Sequence, residues 1–358
     1  MVCGVSRMNA SPGLRIGVLT SLGRTLDAFF PELSKEWEAQ GAQVFAAAGD
    51  PAKLMPSDVI DGLTQSPSLS NFKASASLAK WIDERSLDVV LTSTATASAL
   101  VRIRKRKVPV VYFCHGLHWT HNAEFSPVWK SVERLLLGNT RAAIVSNSED
   151  EAWLSRYLGS ELVAKLPYGV GVPTERFPRT PASPFTGPLE LAWIGDFSSR
   201  KQPLLAVEVA AHLKEAGVSF ILTMAGSGPL EGEVASEIVR RGLQDQVHLP
   251  GRMDSGQLIA ASQVLLHTSK WEGLARVLLE AAATGRNAYG FDVKGVRDAP
   301  SIKVVEPGNA HALASAILRD IEGGFNPQAF PDPKHMTSES QAGLVLDHLK
   351  RWVITSER

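Results

Sequence analysis

Cysteine is almost missing from this chain, with only Cys3 and Cys114 in 358 residues. Two cysteines so far apart exclude a disulfide framework and a cysteine-based zinc site, and they fit a reducing compartment. A charge excess is missing too, since 37 basic side chains face 37 acidic ones. A chain whose main partner is nucleic acid needs a basic surplus to meet phosphate, so no nucleic-acid partner is expected. Long apolar runs are absent. Nothing approaches the ~20 residues of a membrane span, and the N-terminus lacks the roughly 7–15-residue apolar stretch of a signal peptide. The expected setting is cytoplasmic.

What the chain does have is length and alternation. At roughly 150 residues per domain, 358 residues predict two domains, each able to bury its own core. Short apolar runs alternate with helix-period segments, the order of βαβ units and parallel sheets. The first half predicts strands over Leu14–Ser21, Gln43–Ala48, Asp88–Thr92, Val108–Phe113, Ala142–Asn147 and Val163–Leu166. Ser126 and Pro127 open a helix that Gly138 closes, and Ser148 with Glu151 reads as a capping box closed by Gly159. The second half repeats the scheme with strands over Glu190–Ile194, Ser219–Ala225, Val247–Leu249, Val264–Thr268 and Asn287–Phe291.

Between the halves, Pro173–Pro188 is rich in proline and carries no apolar period, as a linker would. The expected architecture is therefore α/β: two doubly wound, Rossmann-like domains, 1–172 and 173–337, facing a central cleft at the carboxyl ends of their strands. A last helix over 338–358, with Ser338 and Gln341 as its capping box, is expected to pack back on the first domain.

The strongest motif is the run from Ser269 to Glu280, in which Glu272 and Glu280 stand eight apart and Gly273 follows the first. A helix starting near Leu274 would offer the amides of Gly273, Leu274 and Ala275 as an anion site, with Glu280 about two turns in. Earlier in the same half, Ile194–Gln202 ends a strand with Asp196, Arg200 and Lys201 in sequence. Gly226-Ser227-Gly228-Pro229-Leu230 makes a tight strand-to-helix turn, and Val247–Arg252 ends another strand. In the first half, His115-Gly116 ends one strand and Gly23 follows another.

These motifs together resemble the retaining glycosyltransferases of family 4, which have the GT-B fold, from Leu14 to the C-terminal helix. The resemblance implies that Glu280 binds the ribose hydroxyls of a nucleotide sugar, that Glu272 and His115 contact the donor hexose, and that Lys201 grips the diphosphate. It places Gly23, Arg252 and the Gly273–Ala275 amides around the donor. Asp196 stands where the family has an arginine, so either Arg200 supplies the lost charge or the Asp196 carboxylate turns away from the diphosphate. The segment Pro167–Phe177 matches the family's domain junction.

No metal or other cofactor is expected, because amides and cations neutralise the leaving diphosphate. His115, His118 and His121 have an unusual spacing for zinc. The resemblance further points to enzymes that build lipid-linked cell-surface polysaccharides from UDP-hexoses or UDP-N-acetylhexosamines. Arg102, Arg104, Lys105, Arg106 and Lys107 read first as the solvated end of a helix, where cations complement the dipole, and with such an acceptor they would alternatively contact anionic headgroups at the inner face of the cytoplasmic membrane. Leu26, Phe29, Phe30, Leu33 and Trp37 fall at helical spacing and read as core. Two other readings stay open: a UDP-sugar 2-epimerase and a non-catalytic binding protein of the same fold.

Overall fold

A computed structural model describes residues 13–66, 68–117, 126–181, 187–323 and 329–354. The first sheet is built from β1 (Arg15–Leu19), β2 (Gln43–Ala48), β3 (Asp58–Val59), β4 (Val89–Thr92), β5 (Val110–Cys114), β6 (Ala142–Val145) and β7 (Val163–Lys165). Its strand order is β3-β2-β1-β4-β5-β6-β7. The second sheet comprises β8 (Leu189–Ile194), β9 (Phe220–Ala225), β10 (Val247–Gly251), β11 (Val264–His267), β12 (Asn287–Phe291) and β13 (Ile302–Val305), in the order β10-β9-β8-β11-β12-β13. Every neighbouring pair of the second sheet is parallel, as are β1 with β2 and β4. Both orders reverse once, between β1 and β4 and between β8 and β11, and ligands of open α/β sheets bind where that reversal opens a crevice.

The helices are α1 (Gly23–Phe29), α2 (Pro31–Ala39), α3 (Asn71–Glu84), α4 (Ala95–Arg102), α5 (Ser126–Leu137), α6 (Ser148–Leu158), α7 (Pro203–Glu215), α8 (Glu231–Arg240), α9 (Ser255–Ala261), α10 (Arg276–Thr284), α11 (Ala310–Glu322), α12 (Pro333–Met336) and α13 (Ser338–Ile354). Their ends refine the sequence reading by a residue or two. Asn147, one residue before Ser148, caps α6 by accepting the Asp150 amide at 2.9 Å. Thr337, one residue before Ser338, accepts the Ser340 amide at 3.1 Å. Pro31 opens a helix of its own, so the apolar stripe Leu26–Trp37 is split over α1 and α2, with Leu26, Phe30, Leu33 and Trp37 all buried.

The chain forms two compact units. One combines Met1–Phe113, Val132–Ala143 and Ala342–Arg358, and the other combines Cys114–Ser131 with Ile144–Gln341. In the first, the Trp37 indole donates to the Ala342 carbonyl of α13 at 2.9 Å, and Arg141 donates to the Trp352 carbonyl. In the second, one core runs from Trp193 and Leu222 through Leu266 and Tyr289 to Ile317.

The expected linker is only partly a linker. Phe177 is buried in the second unit's core, and Thr180 donates its amide to the Thr284 carbonyl. The cause is Arg286, whose buried guanidinium donates to the carbonyls of Thr180, Ala260 and Thr284 and to the Thr180 hydroxyl. A buried cation must be met by acceptors on all sides, and the strap 173–181 supplies several of them.

Candidate functional site

At the reversal of the second sheet, the loop after β8 meets the loop after β11. The Trp193 indole donates to the Thr268 hydroxyl at 2.9 Å, and that hydroxyl donates to the Lys201 carbonyl at 2.8 Å. Lys270 donates its amide to the Arg200 carbonyl at 2.8 Å. The backbone of Arg200 and Lys201 is thus fixed by the opposite loop before their side chains are considered.

Those side chains close on Glu272. Lys201 Nζ lies 2.6 Å from Oε1, Arg200 Nη1 lies 2.6 Å from Oε2, and Ser269 Oγ donates to Oε1 at 2.7 Å. Arg200 also lies over the Trp271 ring, 5.4 Å from its centroid. His267 Nε2 is 3.5 Å from Oε1. Burial alone would push the Glu272 carboxyl up, but the His267 ring and the Lys201 ammonium outweigh it and hold the group far below the ordinary carboxylate range. The same burial lowers His267, which is therefore a neutral partner. Two cations against one carboxylate leave a net positive charge at the mouth of the sheet.

That charge borders a cavity of about 410 Å³ lined by Gly195, Asp196, Arg200, Lys201, Gly226, Ser227, Arg252 and Met253. The close approach of its loops requires glycine at 226, where φ is +148° and a Cβ would stand 1.9 Å from the Gly195 carbonyl oxygen. Asp196 is exposed on this wall, so the cavity carries three cations and one carboxylate of its own. Beyond Met253, Ser255 hydrogen-bonds Glu280 on α10. Burial raises the Glu280 carboxyl, while Arg276 and the Ser255 bond pull it back. Lys201, Arg200 and Arg252 thus line one cavity of the second unit, with Glu272 paired to the first two and Glu280 bonded to Ser255, two residues beyond the cavity wall.

His115 belongs to the same unit. The His115 carbonyl oxygen lies where a Cβ on Gly273 would stand, 1.6 Å away, and a Cβ on Gly116 would meet Gly273 Cα at 2.8 Å. The two glycines let the His-Gly and Glu-Gly loops touch backbone to backbone. Burial, with help from the Arg276 charge, pushes the His115 imidazole down to about 4, so it is neutral near pH 7. Replacing Gly273 with alanine should lower stability by about 1–3 kcal/mol through overpacking. Thermal denaturation checks this, and a variant melting with the wild type would refute the tight contact.

Behind this contact lies a buried polar network that the sequence reading missed. Lys294 Nζ donates to Asp150 Oδ1 at 2.5 Å and to the Leu117 carbonyl at 2.8 Å, while the Lys294 carbonyl accepts the Glu272 amide at 2.9 Å. Asp150 Oδ2 accepts the Leu117 amide, and Asn147 Nδ2 donates to the Gly273 carbonyl at 2.9 Å. Lys294 and Asp150 are almost wholly buried. Neither stands out in the sequence: Asp150 is one of three acids in the first turn of α6, and Lys294 lies in the loop after β12.

Other expected roles need correction. The helix that was to present amides starts at Arg276 rather than Leu274, and the Ala275 amide is given to the Gly295 carbonyl at 3.3 Å. Among the described residues, only the amides of Gly273 and Leu274 remain of the expected trio. Arg276 at the helix start was also missed; a cation there opposes the helix dipole, which favours an anion close by. Gly23 lies in the first unit, where its amide is given to Asp50 at 2.8 Å and a Cβ would strike the Pro51 carbonyl, so packing accounts for the glycine.

Arg102 is no surface cation. It is buried, pairs with Glu133, donates to the Ser98 carbonyl and lies over the Tyr112 ring. Arg104, Lys105 and Lys107 are exposed. His118 and His121 lie outside the described residues, and no metal-binding cluster occurs among those described. No helix among the described residues is long and apolar enough to cross a membrane.

Residues 29–170 match the family model for Glycosyltransferase Family 4, and residues 188–322 match that for glycosyl transferases group 1. A Bacillus subtilis (strain 168) protein named as a glycosyltransferase, EpsF, is 29% identical over 213 residues, which is 54% of each chain. The chain therefore spans about half the length of that relative. The Anabaena protein Alr3699/HepE, solved with UDP, superposes with a TM-score of 0.72 at 19% identity, covering 96% of this chain and 97% of that one. The lipopolysaccharide outer core galactosyltransferase WaaB gives 0.73 at 15% identity, covering 96% and 100%. These structures share the fold, two Rossmann-like parallel-sheet domains of the GT-B type.

Proposed function

The chain belongs to the family 4 glycosyltransferases, and from that membership and the geometry above we propose that it moves a hexose or N-acetylhexosamine from a UDP-sugar to a glycan or lipid-diphosphate-linked acceptor, with retention at the anomeric carbon. The observation that carries the reading is the cation pair Arg200–Lys201, fixed at the reversal of the second sheet beside an open cavity of about 410 Å³. A nucleoside diphosphate needs such positive charge where its leaving group departs. The UDP complex of the Anabaena relative supports uridine as the base. WaaB and EpsF, named for lipopolysaccharide and glycosyl transfer, support a role in building cell-surface polysaccharide.

In this mechanism Lys201 and Arg200 meet the charge that grows on the diphosphate, aided by the amides of Gly273 and Leu274. Neutral His115 and Glu272 position the hexose, and Glu280 holds the ribose hydroxyls. The acceptor hydroxyl approaches from the face of the departing phosphate, whose oxygen takes its proton. The glycosidic bond to phosphate breaks as the bond to the acceptor forms, so no protein nucleophile and no metal are required.

The test is a thermal-shift panel of UDP, GDP, ADP and UDP-hexoses on the wild type and Glu280→Ala. UDP at ~100 times its dissociation constant should stabilise the protein by about 2.7 kcal/mol. Glu280→Ala should weaken UDP about tenfold, the scale of a lost hydrogen bond to a charged group. Unchanged affinity in the variant refutes the ribose assignment, and absence of any nucleotide shift makes the non-catalytic binding protein the better reading.

A further inference from the structure

An ion pair buried as deeply as Lys294 with Asp150, whose side chains are 6% and 2% exposed, is a poor source of stability. Both charges lose their water, and two well-packed apolar side chains of the same volume would do as well or better. What the pair supplies and apolar packing does not is direction, through an ammonium with three donors and a carboxylate with fixed acceptor positions. Its use lies in what those donors and acceptors hold.

They hold one residue from both sides. The Leu117 amide donates to Asp150 Oδ2 at 3.0 Å, and the Leu117 carbonyl accepts from Lys294 Nζ at 2.8 Å. Leu117 is buried and follows His115 by two residues. The same pair reaches the Glu272 loop. The Lys294 carbonyl accepts the Glu272 amide at 2.9 Å, and Asn147 Nδ2 donates both to Asp150 Oδ2 at 2.8 Å and to the Gly273 carbonyl at 2.9 Å. Next to Lys294, a Cβ on Gly295 would stand 2.3 Å from the Glu272 carbonyl oxygen. All of these residues belong to the second unit. Hydrogen bonds thus run in a closed circuit from Leu117 through the ion pair to Glu272 and Gly273. Gly116 and Gly273 meet without side chains, so their contact cannot fix its own spacing, and the circuit behind it does.

We propose that Lys294 and Asp150 are positioning residues for the donor hexose: they set the spacing of the His115 loop against the Glu272 loop, and so select the sugar and its orientation without touching it. This rests on the donor reading above, in which His115 and Glu272 face the hexose, and it names what fixes the distance between them. The nucleotide end is built from other side chains. Lys201, Arg252 and Glu280 hydrogen-bond to neither Lys294 nor Asp150, so loss of the pair should loosen the sugar and spare the nucleotide.

The variant that tests this is Lys294→Met with Asp150→Asn, which removes both charges together and leaves no buried ion without its partner. UDP, UDP-glucose, UDP-galactose and UDP-N-acetylglucosamine are titrated into the full chain by calorimetry, and UDP release from each sugar donor is followed in single turnover. The variant should bind UDP as the wild type does. Release from the preferred donor should fall about 10²-fold, the cost of misplacing a reacting group by about an ångström. Discrimination among the three sugars, in affinity and in release, should narrow. Asn147→Ser keeps a good cap for α6 and severs the arm to Gly273, so it should move discrimination the same way by less. Lys303→Met with Asp320→Asn removes an ion pair of β13 and α11 that hydrogen-bonds neither loop, and it should leave discrimination unchanged.

Unmoved release and discrimination in the first two variants overturn the proposal. An equal change in the Lys303 and Asp320 variant also overturns it, leaving the buried pair a matter of stability alone. So does UDP affinity falling in step with that of the sugars, or a wild type that treats the three sugars alike. The donor reading is judged on the wild type: absence of UDP binding fells that reading and this inference with it, whereas UDP binding with unmoved discrimination in the variants fells only the inference.

Discussion

Replacing Lys201 with alanine should reduce kcat about 10²–10³-fold, the usual cost of removing one fixed donor from a developing oxyanion, or about 2.7–4 kcal/mol. The size follows from how firmly the ammonium is held. Its side chain is 14% exposed, and Thr268 pins its backbone carbonyl at 2.8 Å. A charge that need not move as the leaving group departs contributes more than a solvated one. The charge on the diphosphate grows toward the transition state, so kcat should fall further than KM rises.

The fold should survive Lys201→Ala, because Glu272 keeps Arg200 at 2.6 Å and Ser269 at 2.7 Å. Arg200→Ala should cost less. Its side chain is 34% exposed and is shared with the Trp271 ring, so water screens more of its field. Initial rates of UDP release from the donor, with and without acceptor, measure both variants. A Lys201→Ala enzyme turning over at the wild-type rate would remove the cation pair from the mechanism.

The strands and most helix ends were legible because their signals are local. Gly159, Gly217, Gly242 and Gly285 follow their helices in positive φ, as the pattern of apolar periods ending at glycine implied. Caps slipped by one residue because Asn147 and Ser148, or Thr337 and Ser338, are both good N-caps and only geometry chooses between them. Strands β3 and β13 were missed, the first because two residues cannot show a period and the second because none of its four residues is buried.

At the site, Lys201, Glu272 and Glu280 were legible as motif. Their mutual pairing was not, since Lys201 and Glu272 lie 71 positions apart. The Lys294–Asp150 pair is hidden for the same reason, at a separation of 144. Arg102 shows the opposite error: five near-consecutive cations suggested one charged face, but a helix turns its last residue inward toward Glu133 and Tyr112 while the loop after it stays in water.

Glu272→Gln should separate binding from turnover. In the ligand-free protein the carboxylate competes with a diphosphate for both cations, so the amide, nearly the same in shape, raises the local charge by one unit. Allowing for solvent screening, a gain on the order of 1 kcal/mol is expected for UDP, about fivefold in affinity. Turnover should fall by about 10²-fold or more, because the group proposed to orient the hexose has lost its charge and its bond to the lysine is weakened.

Stability supplies an independent readout of sign. Glu272 is held far below the ordinary value of 4.5, so its paired, ionised form stabilises the fold fully above about pH 4.5, and that contribution declines as pH falls below it. The variant should therefore be less stable than the wild type at pH 7, and the gap should shrink in acid. UDP titration by calorimetry, single-turnover rates and melting curves at pH 7 and pH 4 read the three effects separately. Tighter UDP with slower transfer would identify Glu272 as a carboxylate that shares its cations with the donor. Weaker UDP in Glu272→Gln would instead mean that the carboxylate positions Arg200 and Lys201 for the diphosphate, and that the pair is a prebuilt clamp with no competition to relieve.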